Sequence, residues 1–276
     1  MKTASDTLKI DCPRVTSLIC QFIQKRFRVA GAKGVVVGIS GGIDSAVTSF
    51  LCTKALGPEA VMGVLLPETN TPVSEIKDAE LVVSHLGIRS KQISIESLVN
   101  ESCRLLPDAA ESKLVLGNVK ARLRMVLWYA LANSTGSLVA GTGNKTEIMV
   151  GYSTKFGDAA YDFNPIGDLY KTQVRQLAEY LGVPKTIIKK PPSAGLWPGQ
   201  TDEDELGISY DHLDMILAAC ERWSNISEIS EELGLPEEVV SRVSRLIRRS
   251  EHKRQPPVIL KLSYRTSGID WRLPLA

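Results

Sequence analysis

The chain has 276 residues, of which 43% are hydrophobic and 23% are charged. This composition is typical of a soluble globular protein, and the length allows one large α/β domain with an appended helical region. The 33 basic and 31 acidic side chains leave a formal net charge of only +2. Such a balance gives no overall field that favours nucleic acid or an anionic membrane as a partner, so any anion-binding site must be local.

The sequence also argues against a disulfide framework and a membrane anchor. Its five cysteines are scattered without a CxxC pair or a Cys/His cluster, which indicates reduced thiols. No apolar run approaches the roughly 20 residues that span a bilayer, and the N-terminus lacks the pattern of a secretion signal. We therefore expect a cytoplasmic protein that is not exported.

Short apolar segments and helical patterns alternate along the first half of the chain. An amphipathic helix is predicted to begin near Asp11 and to end at Gly31. The predicted strands that follow cover residues 34–39, 60–66, 90–95 and 137–140. The predicted helices between them cover residues 45–56, 72–86, 97–106 and 114–133. This alternation implies right-handed crossovers and an α/β fold, a parallel twisted sheet with helices on both faces.

After Thr142 the pattern contains no further strand. It predicts a long irregular stretch, then a helix over residues 169–181, a Pro- and Gly-rich loop over residues 190–207, and three C-terminal helices. The composition of the loop fits either a functional lid or a solvated connector. We expect a single domain over residues 1–276, with an α/β core at about 10–142 and with active-site loops and a C-terminal helical part at 143–276.

Residues 40–45, with the sequence SGGIDS, lie between a predicted buried strand and a predicted helix. Two glycines allow a sharp turn with converging backbone N–H groups, and the N-terminus of the next helix adds positive potential, so this segment suits a phosphate group. Ser40 and Ser45 can donate further hydrogen bonds to phosphate oxygens. Asp44 would repel an anion unless a cation lies between them, which indicates Mg²⁺. The alternative is an ordinary strand-to-helix turn in which Asp44 caps the helix.

This segment matches neither the GxxxxGK[ST] pattern nor the GxGxxG pattern. It resembles the pyrophosphate loop SGGxDS of the ATP pyrophosphatase superfamily, whose members cleave ATP between its α and β phosphates. That superfamily includes GMP synthetase, asparagine and argininosuccinate synthetases, tRNA-thiolating enzymes and NAD synthetase. The resemblance therefore implies the ATP half-reaction and leaves the acceptor open.

Several segments further along the chain indicate the acceptor. Residues 141–147 (GTGNKTE) follow the last predicted strand, at the sheet edge where open α/β folds bind ligands. Residues 151–171 (GYSTKFGDAAYDFNPIGDLYK), 190–207 (KPPSAGLWPGQTDEDELG) and 251–257 (EHKRQPP) resemble NAD synthetases in order and spacing. The resemblance extends from about residue 10 to residue 260. It departs from some bacterial members at Gly143 and Asn144, where those members carry Asp and His.

The resemblance implies a fold of the adenine nucleotide alpha hydrolase type and roles for particular residues. Asp44 and Glu147 would hold Mg²⁺, and Asp44, Lys171 and Asp158 would be the catalytic residues. The residues implied to bind ATP are Gly38, Ile39, Ser40, Gly41, Gly42, Ile43, Asp44, Ser45, Thr142, Lys171 and Ser193. The residues implied to bind the deamidated dinucleotide, deamido-NAD, are Arg122, Lys155, Asp162, His252 and Lys253.

The implied reaction is the amidation of deamido-NAD by ammonia, which consumes ATP and gives NAD, AMP and pyrophosphate. Mg²⁺, Lys171 and the loop dipoles would neutralise the pyrophosphate that leaves when the adenylate forms. Ammonia then displaces AMP, and Asp158 would bind ammonium and accept its proton. Free ammonia is the expected donor because no segment has the pattern of a glutamine-hydrolysing domain. The resemblance further implies a homodimer with a shared dinucleotide groove.

The residues alone leave other interpretations open. Arg122 could be a solvent-facing arginine on a long helix, and His252 and Lys253 could belong to a solvated helix end or to an RNA-binding patch. Another enzyme of the superfamily, such as a tRNA-modifying transferase, is expected to carry a thiol pair, an RNA-binding appendage or a strongly basic face, and none is evident. A catalytically silent nucleotide-binding protein is the second rival, and the retained metal-binding and catalytic residues argue against it.

Overall fold

The computed structural model describes residues 4–193, 195, 201–222, 224–266 and 270 of the chain. Within this part, four strands form one parallel sheet in the order β3-β2-β1-β4. The strands are β1 (Gly34–Gly38), β2 (Val61–Leu65), β3 (Arg89–Gln92) and β4 (Ser137–Ala140). The predicted parallel α/β sheet is confirmed.

Helices connect these strands and form the second half of the described chain. In chain order they are α1 (Ala4–Thr7), α2 (Cys12–Ala30), α3 (Ile43–Leu56), α4 (Val73–Leu86), α5 (Glu96–Leu105), α6 (Asp108–Glu111), α7 (Lys113–Thr135), α8 (Lys145–Val150), α9 (Lys171–Leu181), α10 (Lys185–Ile188), α11 (Asp202–Leu206), α12 (Tyr210–Glu221), α13 (Ile226–Leu233), α14 (Glu237–Arg249) and α15 (Glu251–Arg254). A short 3-10 turn, Pro58–Ala60, precedes β2. None of the described helices combines the length and apolarity needed to cross a bilayer.

Alternate side chains of the central strand pack against helices on opposite faces of the sheet, as the two-residue period of a strand requires. Val35 and Val37 of β1 pack with α2, α3, α4 and α9, whereas Val36 packs with α5 and α7. All three valines are at most 1% exposed. Because β1 is buried on both faces, its sequence is a continuous apolar run without alternation.

The C-terminal helices α12, α13 and α14 share a separate hydrophobic cluster. Tyr210, Leu213 and Leu217 of α12 are fully buried in it, and α1 contributes Ala4. The C-terminal helical part therefore has a core of its own. It meets the sheet layer where α12 packs on α8 and α9.

The structure differs from the sequence prediction mainly at short elements. Strand β3 covers Arg89–Gln92 rather than residues 90–95, and all four of its residues are exposed, as at a sheet edge. Helix α8 lies in a stretch predicted as irregular, and α11 lies in the predicted loop of residues 190–207. With six and five residues, these helices are too short to show a 3.6-residue period. Positions 194 and 196–200 of the predicted loop lie outside the described residues.

The strand order reverses at β1, and this reversal determines where a ligand site can form. Strands β2 and β3 lie on one side of β1, and β4 lies on the other. The loops that leave the carboxyl ends of β1 and β4 therefore diverge and open a crevice, the position where open α/β sheets bind ligands. Residues 39–42 follow β1 and residues 141–144 follow β4. The fold thus brings both sequence motifs to one crevice.

Candidate active site

A cavity of about 520 Å³ opens at the carboxyl ends of β1 and β4. The predicted site residues that line it are Gly38, Ile39, Ser40, Gly42, Ile43, Asp44, Ser45, Thr142, Glu147, Asp158, Lys171, Ser193 and Lys253. The predicted site residues outside its lining are Gly41, Arg122, Lys155, Asp162 and His252. One cavity therefore collects residues from both sheet loops, from α9 and from the C-terminal part.

The glycine loop (residues 39–42) carries the chain from β1 into α3. Gly41 has a φ of +82°, a conformation that favours glycine, and a Cβ at this residue would lie 2.4 Å from the carbonyl oxygen of Glu75. Helix α3 starts at Ile43 with Gly42 as its N-cap, and no side chain caps its first turn. The N–H groups and positive potential of this helix end are therefore available to an anion in the cavity. Asp44, the second residue of α3, does not cap the helix.

Three charged side chains meet beside the glycine loop. Lys171 Nζ lies 2.5 Å from Asp44 Oδ2 and 3.2 Å from Glu147 Oε1. The side chains of Lys171, Asp44 and Glu147 are 3%, 17% and 16% exposed. The two carboxylates, which we call the acidic pair, are thus held around one ammonium group.

Asn144, a residue to which the sequence analysis gave no role, orients both members of the acidic pair. Its Nδ2 donates to Asp44 Oδ1 at 3.0 Å, and its backbone N–H donates to Glu147 Oε2 at 3.3 Å. The backbone N–H of Glu147 donates to Asn144 Oδ1 at 3.0 Å, which completes a capping box at the start of α8. The N-x-x-E spacing of residues 144–147 is a capping-box signal that could have identified this residue.

The electrostatics of the acidic pair reflect its burial. Burial raises the pKa of Glu147 to about 8, and Lys171 opposes this rise while Asp44 adds to it. Burial alone would lower the pKa of Lys171, but the carboxylates of Asp44 and Glu147 outweigh it and raise that pKa above its ordinary value. The ammonium group of Lys171 is therefore charged at neutral pH.

Asp202 of α11 is a third carboxyl group at this site, and the sequence analysis did not single it out. It is 3% exposed, and its Oδ2 accepts a hydrogen bond from the Tyr210 hydroxyl at 3.0 Å. Lys171 Nζ lies 5.0 Å from the centre of the Tyr210 ring, within the range of a cation–π contact. Burial raises the pKa of Asp202, and the charge of Lys171 partly opposes this rise. Helices α11 and α12 thus complete the surroundings of Lys171.

Comparison with known proteins assigns this arrangement to a family. Residues 15–257 match the family model described as NAD synthase. The chain belongs to the NAD synthase family. The NH(3)-dependent NAD(+) synthetase of Methanocaldococcus jannaschii is 48% identical to it over 245 residues, which are 88% of this chain and 95% of the relative. The enzyme of the same name from Archaeoglobus fulgidus is 48% identical over 252 residues, which are 90% and 97% of the two chains.

Solved structures give the same family. The NMN synthetase of Francisella tularensis has a TM-score of 0.80 at 33% identity, covering 92% of this chain and 100% of that one. The NH3-dependent NAD synthetase of Campylobacter jejuni, solved with a nitrate ion, has a TM-score of 0.78 at 32% identity and the same coverage. A glutamine-dependent NAD+ synthetase from Acinetobacter baumannii has a TM-score of 0.70 at 30% identity, covering 97% of this chain and 50% of that one. The resemblance to NAD synthetases is confirmed.

In this member of the NAD synthase family, four of the residues predicted to bind the dinucleotide form one basic cluster. Arg122 Nε donates to the carbonyl oxygen of Lys155 at 3.3 Å, and Lys155 Nζ donates to the carbonyl oxygen of His252 at 2.7 Å. Lys253, next to His252, lines the cavity, and its Nζ donates to two backbone carbonyls at 2.6 Å each. The basic cluster (Arg122, Lys155, His252, Lys253) therefore adjoins the cavity at Lys253.

The two remaining predicted carboxylates occupy different surroundings. Asp162 ties β4 to α7, because its Oδ2 accepts from the N–H of Val139 at 2.7 Å and its Oδ1 accepts from the Tyr129 hydroxyl at 3.3 Å. Asp158 lies on the cavity lining and accepts from the N–H of Thr154 at 2.8 Å. Asp158 is an exposed residue, yet the surrounding protein atoms displace water from its carboxyl group and raise its pKa.

Arg124 is a second cationic residue on α7, two positions after Arg122. Arg124 lines the cavity, whereas Arg122 does not. Its Nε donates to the carbonyl oxygen of Leu66 at 3.1 Å. Burial lowers the pKa of Arg124, and the nearby acidic residues Glu68 and Glu75 oppose this effect. Positions two apart do not share a helix face, so the two arginines point to different surroundings.

Proposed function

We propose that this chain is an ammonia-dependent NAD synthetase, which converts deamido-NAD, ATP and ammonia to NAD, AMP and pyrophosphate. The observation that carries the proposal is the cavity in which the glycine loop and the N-terminus of α3 adjoin the Lys171 ammonium and the acidic pair. A phosphate that binds together with a divalent cation needs such an anion site beside carboxylates. The family membership and the relatives named NH(3)-dependent NAD(+) synthetase support the amidation.

The cavity offers ATP both polar groups and apolar side chains. The phosphates would bind at the glycine loop, the N-terminus of α3 and Lys171. Apolar side chains that suit the adenine ring also line the cavity, among them Leu66, Ile76 and Ala79. Thr142 and Ser193 also line the cavity and would contact the nucleotide.

Mg²⁺ is the cation that the acidic pair suits, because carboxylate oxygens are its preferred ligands. Asp44 and Glu147 would hold it. Each carboxylate has one oxygen bonded to Asn144 and one oxygen facing Lys171, so the donor atoms are oriented but shared with the ammonium group. Burial raises the pKa values of Glu147 and Asp202, and a bound divalent cation would oppose this rise because it favours the ionised carboxylates. When bound, the cation would supply charge neutralisation at phosphate oxygens.

In the first step, the carboxylate of deamido-NAD attacks the α-phosphorus of ATP, and the bond to pyrophosphate breaks. Negative charge grows on the leaving pyrophosphate, where the N–H groups of the glycine loop and α3 would stabilise it. The Lys171 ammonium would add its charge, which its raised pKa maintains. The attacking carboxylate is already ionised, so this step needs no general base from the protein.

In the second step, ammonia attacks the adenylated carbonyl carbon and AMP leaves. Ammonium predominates at neutral pH, so a base that accepts its proton accelerates this step. We propose Asp158 for this role because this residue lines the cavity. The raised pKa of Asp158 makes it a stronger base than an ordinary aspartate.

The basic cluster would bind the phosphates of the acceptor. Arg122, Lys155 and Lys253 are cationic, and three positive charges suit the two charges of a dinucleotide pyrophosphate. Asp162 supports this region through its bonds to β4 and Tyr129. A deamidated mononucleotide is the second candidate acceptor, because one structural relative carries the name NMN synthetase.

We infer that free ammonia is the nitrogen donor and that the enzyme acts in the cytoplasm. Two relatives that are each 48% identical to the chain carry the name NH(3)-dependent NAD(+) synthetase. All five cysteines are free thiols, which supports a reducing compartment. Fractionation of cells that produce the protein would test the location.

Product formation tests the reaction directly. Purified protein with ATP, Mg²⁺, ammonium chloride and deamido-NAD should form NAD and pyrophosphate in equal amounts. Replacing deamido-NAD with the deamidated mononucleotide should give a much slower reaction. Asp44→Asn should lower the rate by about 100-fold or more, because it removes half of the acidic pair that carries the charge stabilisation. The control Glu101→Gln changes an exposed carboxylate that pairs with Arg104, and it should leave the rate unchanged.

The other outcomes separate the rival functions. A faster reaction with the deamidated mononucleotide would show that this mononucleotide, rather than deamido-NAD, is the acceptor. Pyrophosphate release only with a tRNA acceptor would indicate a tRNA-modifying enzyme. ATP binding without pyrophosphate release with any acceptor would indicate a silent nucleotide-binding protein.

Metal binding without nucleotide tests the acidic pair as the cation site. The Lys171 ammonium contacts the same carboxylate oxygens that a cation would use. A unit charge at 4 Å contributes about 4 kcal/mol at an effective dielectric near 20, so Lys171→Met should bind Mn²⁺ at least about tenfold more tightly than the wild type. Electron paramagnetic resonance of free Mn²⁺ gives the affinities. Lys171→Met should also show a larger Mn²⁺-dependent rise in melting temperature.

The double variant Lys171→Met, Asp44→Asn is the matched control. It should lose the gain in Mn²⁺ affinity because it lacks one carboxylate of the acidic pair. Equal Mn²⁺ affinity of Lys171→Met and the wild type would rule out these carboxylates as the cation site.

The pH dependence of Asp158→Asn tests its role in the second step. The amide keeps an acceptor for the Thr154 N–H but cannot take a proton from ammonium. The rate defect should reach about 100-fold near neutral pH and shrink at higher pH, where ammonia itself is increasingly neutral. Steady-state rates against ammonium concentration at several pH values provide the measurement. A defect that stays constant with pH would show that Asp158 only holds its loop.

We propose that the enzyme is a homodimer that uses the α5 and α7 surface. Large apolar side chains on these two helices are exposed, namely Leu98, Leu105, Leu114, Val115 and Val126. Light scattering should give twice the 30.1 kDa mass of one chain. Replacing Leu114 and Val126 with glutamate should give the mass of a single chain, because the interface would contain unpaired charges. The mass of one chain in the wild type would contradict this assembly.

A further inference from the structure

Asp214 is a buried carboxylate that neither the motifs nor the proposed reaction uses. It lies on α12 in the C-terminal helical part and is 0% exposed. Its Oδ1 accepts a hydrogen bond from the Thr146 hydroxyl at 2.5 Å, and its Oδ2 accepts from the backbone N–H of Thr172 at 2.8 Å. These two partners belong to α8 and α9, the helices that carry Glu147 and Lys171. One carboxylate thus contacts the starts of both helices.

At the start of α9, Asp214 caps the N–H of Thr172, whereas the local residue Gln173 caps the N–H of Tyr170. The helix starts at Lys171, and the side chain of its N-cap residue, Tyr170, accepts no hydrogen bond from the first turn. The N–H of Thr172 instead binds Asp214, which is 42 residues later in the chain. A carboxylate at this end of the helix also interacts favourably with the helix dipole.

Thr146 extends this contact to α8. Its hydroxyl accepts a hydrogen bond from the backbone N–H of Lys171 at 2.9 Å and donates to Asp214. An ionised carboxylate only accepts, so Asp214 fixes the direction of the Thr146 hydroxyl. The chain of bonds from Lys171 through Thr146 to Asp214 therefore sets how α8 and α9 lie relative to each other. Glu147 directly follows Thr146.

We propose that Asp214 is a positioning residue, which keeps the starts of α8 and α9 at the spacing where Lys171 meets Glu147. The 3.2 Å contact between Lys171 Nζ and Glu147 Oε1 spans the two helices that Asp214 joins. The contacts of Asp214 are to Thr146 and Thr172 rather than to the charged groups of Lys171 and Glu147, so it would act through the backbones of α8 and α9. The catalytic consequence of this role rests on the proposed amidation reaction.

Asp214→Asn is the main test, because it keeps the size of the side chain and removes one acceptor. It should lower kcat by about 10- to 100-fold, since a shift of about 1 Å in a catalytic group costs up to that much. The KM for ATP should change less than about threefold, because the glycine loop and the α3 terminus are untouched. Asp211→Asn is the matched control: Asp211 lies on the same helix, is exposed and pairs with Arg175, so the kcat of this variant should match the wild type.

Thr146 variants identify the path. Thr146→Ser keeps the hydroxyl and should retain most of kcat, whereas Thr146→Val should reproduce the loss seen in Asp214→Asn. The double variant Thr146→Val, Asp214→Asn should be no worse than the poorer single variant, because both changes break one chain of bonds. If the kcat losses of the two single variants instead multiply in the double variant, Asp214 acts independently of Thr146.

The crystal structure of Asp214→Asn gives a readout that does not depend on catalysis. The proposal requires a longer distance between Lys171 Nζ and Glu147 Oε1 with the rest of the fold retained. An unchanged contact, or a lower melting temperature with normal kcat in the folded protein, would show that Asp214 has only a structural role. If the wild type forms no NAD, the proposed reaction fails, and this structural comparison still decides the positioning role.

Discussion

The ion cluster of Lys171 with Asp44 and Glu147 is the interaction on which the site depends. Each of these residues lies in the first turn of a different helix, at the start of α3, α8 or α9. The first two helices follow the adjacent strands β1 and β4, so the reversal of strand order brings their starts together. The cluster thus results directly from the topology of the sheet, with α9 added from outside it.

The helix dipoles affect the members of this cluster in opposite ways. The acidic pair is favoured at the starts of α3 and α8, whereas the Lys171 ammonium is disfavoured at the start of α9 by about 0.3–1 kcal/mol. Asp214 at the same helix end offsets this effect, and the acidic pair supplies the counter-charge. When a nucleotide binds, its phosphates would become partners of the Lys171 ammonium in place of the acidic pair. A buried lysine that already has strong partners needs little rearrangement to act on a new anion.

The sequence predicts those parts of the site that lie within continuous motifs. The β1 strand, the glycine loop and Asp44 follow from one segment, because a buried strand, two glycines and a helix start have strong local signals. The family resemblance implied that Asp44, Glu147 and Lys171 belong to one site, and in the structure these three side chains lie together, although their ion pairs were not predicted. The predicted bounds of strand β3 were wrong, and the short helices α8 and α11 were not predicted. An exposed edge strand and a helix of two turns or fewer lack a clear period. Asp202 and Asp214 could not be found, since only tertiary packing brings α11 and α12 to Lys171.

Asp202 and Asp214 show that the C-terminal helical part contributes directly to the surroundings of Lys171. A site built from the sheet loops alone would contain the glycine loop and the acidic pair, but Lys171 would lack the Tyr210 ring and the Asp214 contact. The core of α12 to α14 fixes α12, and α12 in turn fixes the start of α9. Because Tyr210 and Asp214 lie one helical turn apart on α12, a single helix both surrounds the ammonium and sets the position of its backbone. The helical part is therefore a structural component of the candidate active site rather than an appendage to the sheet.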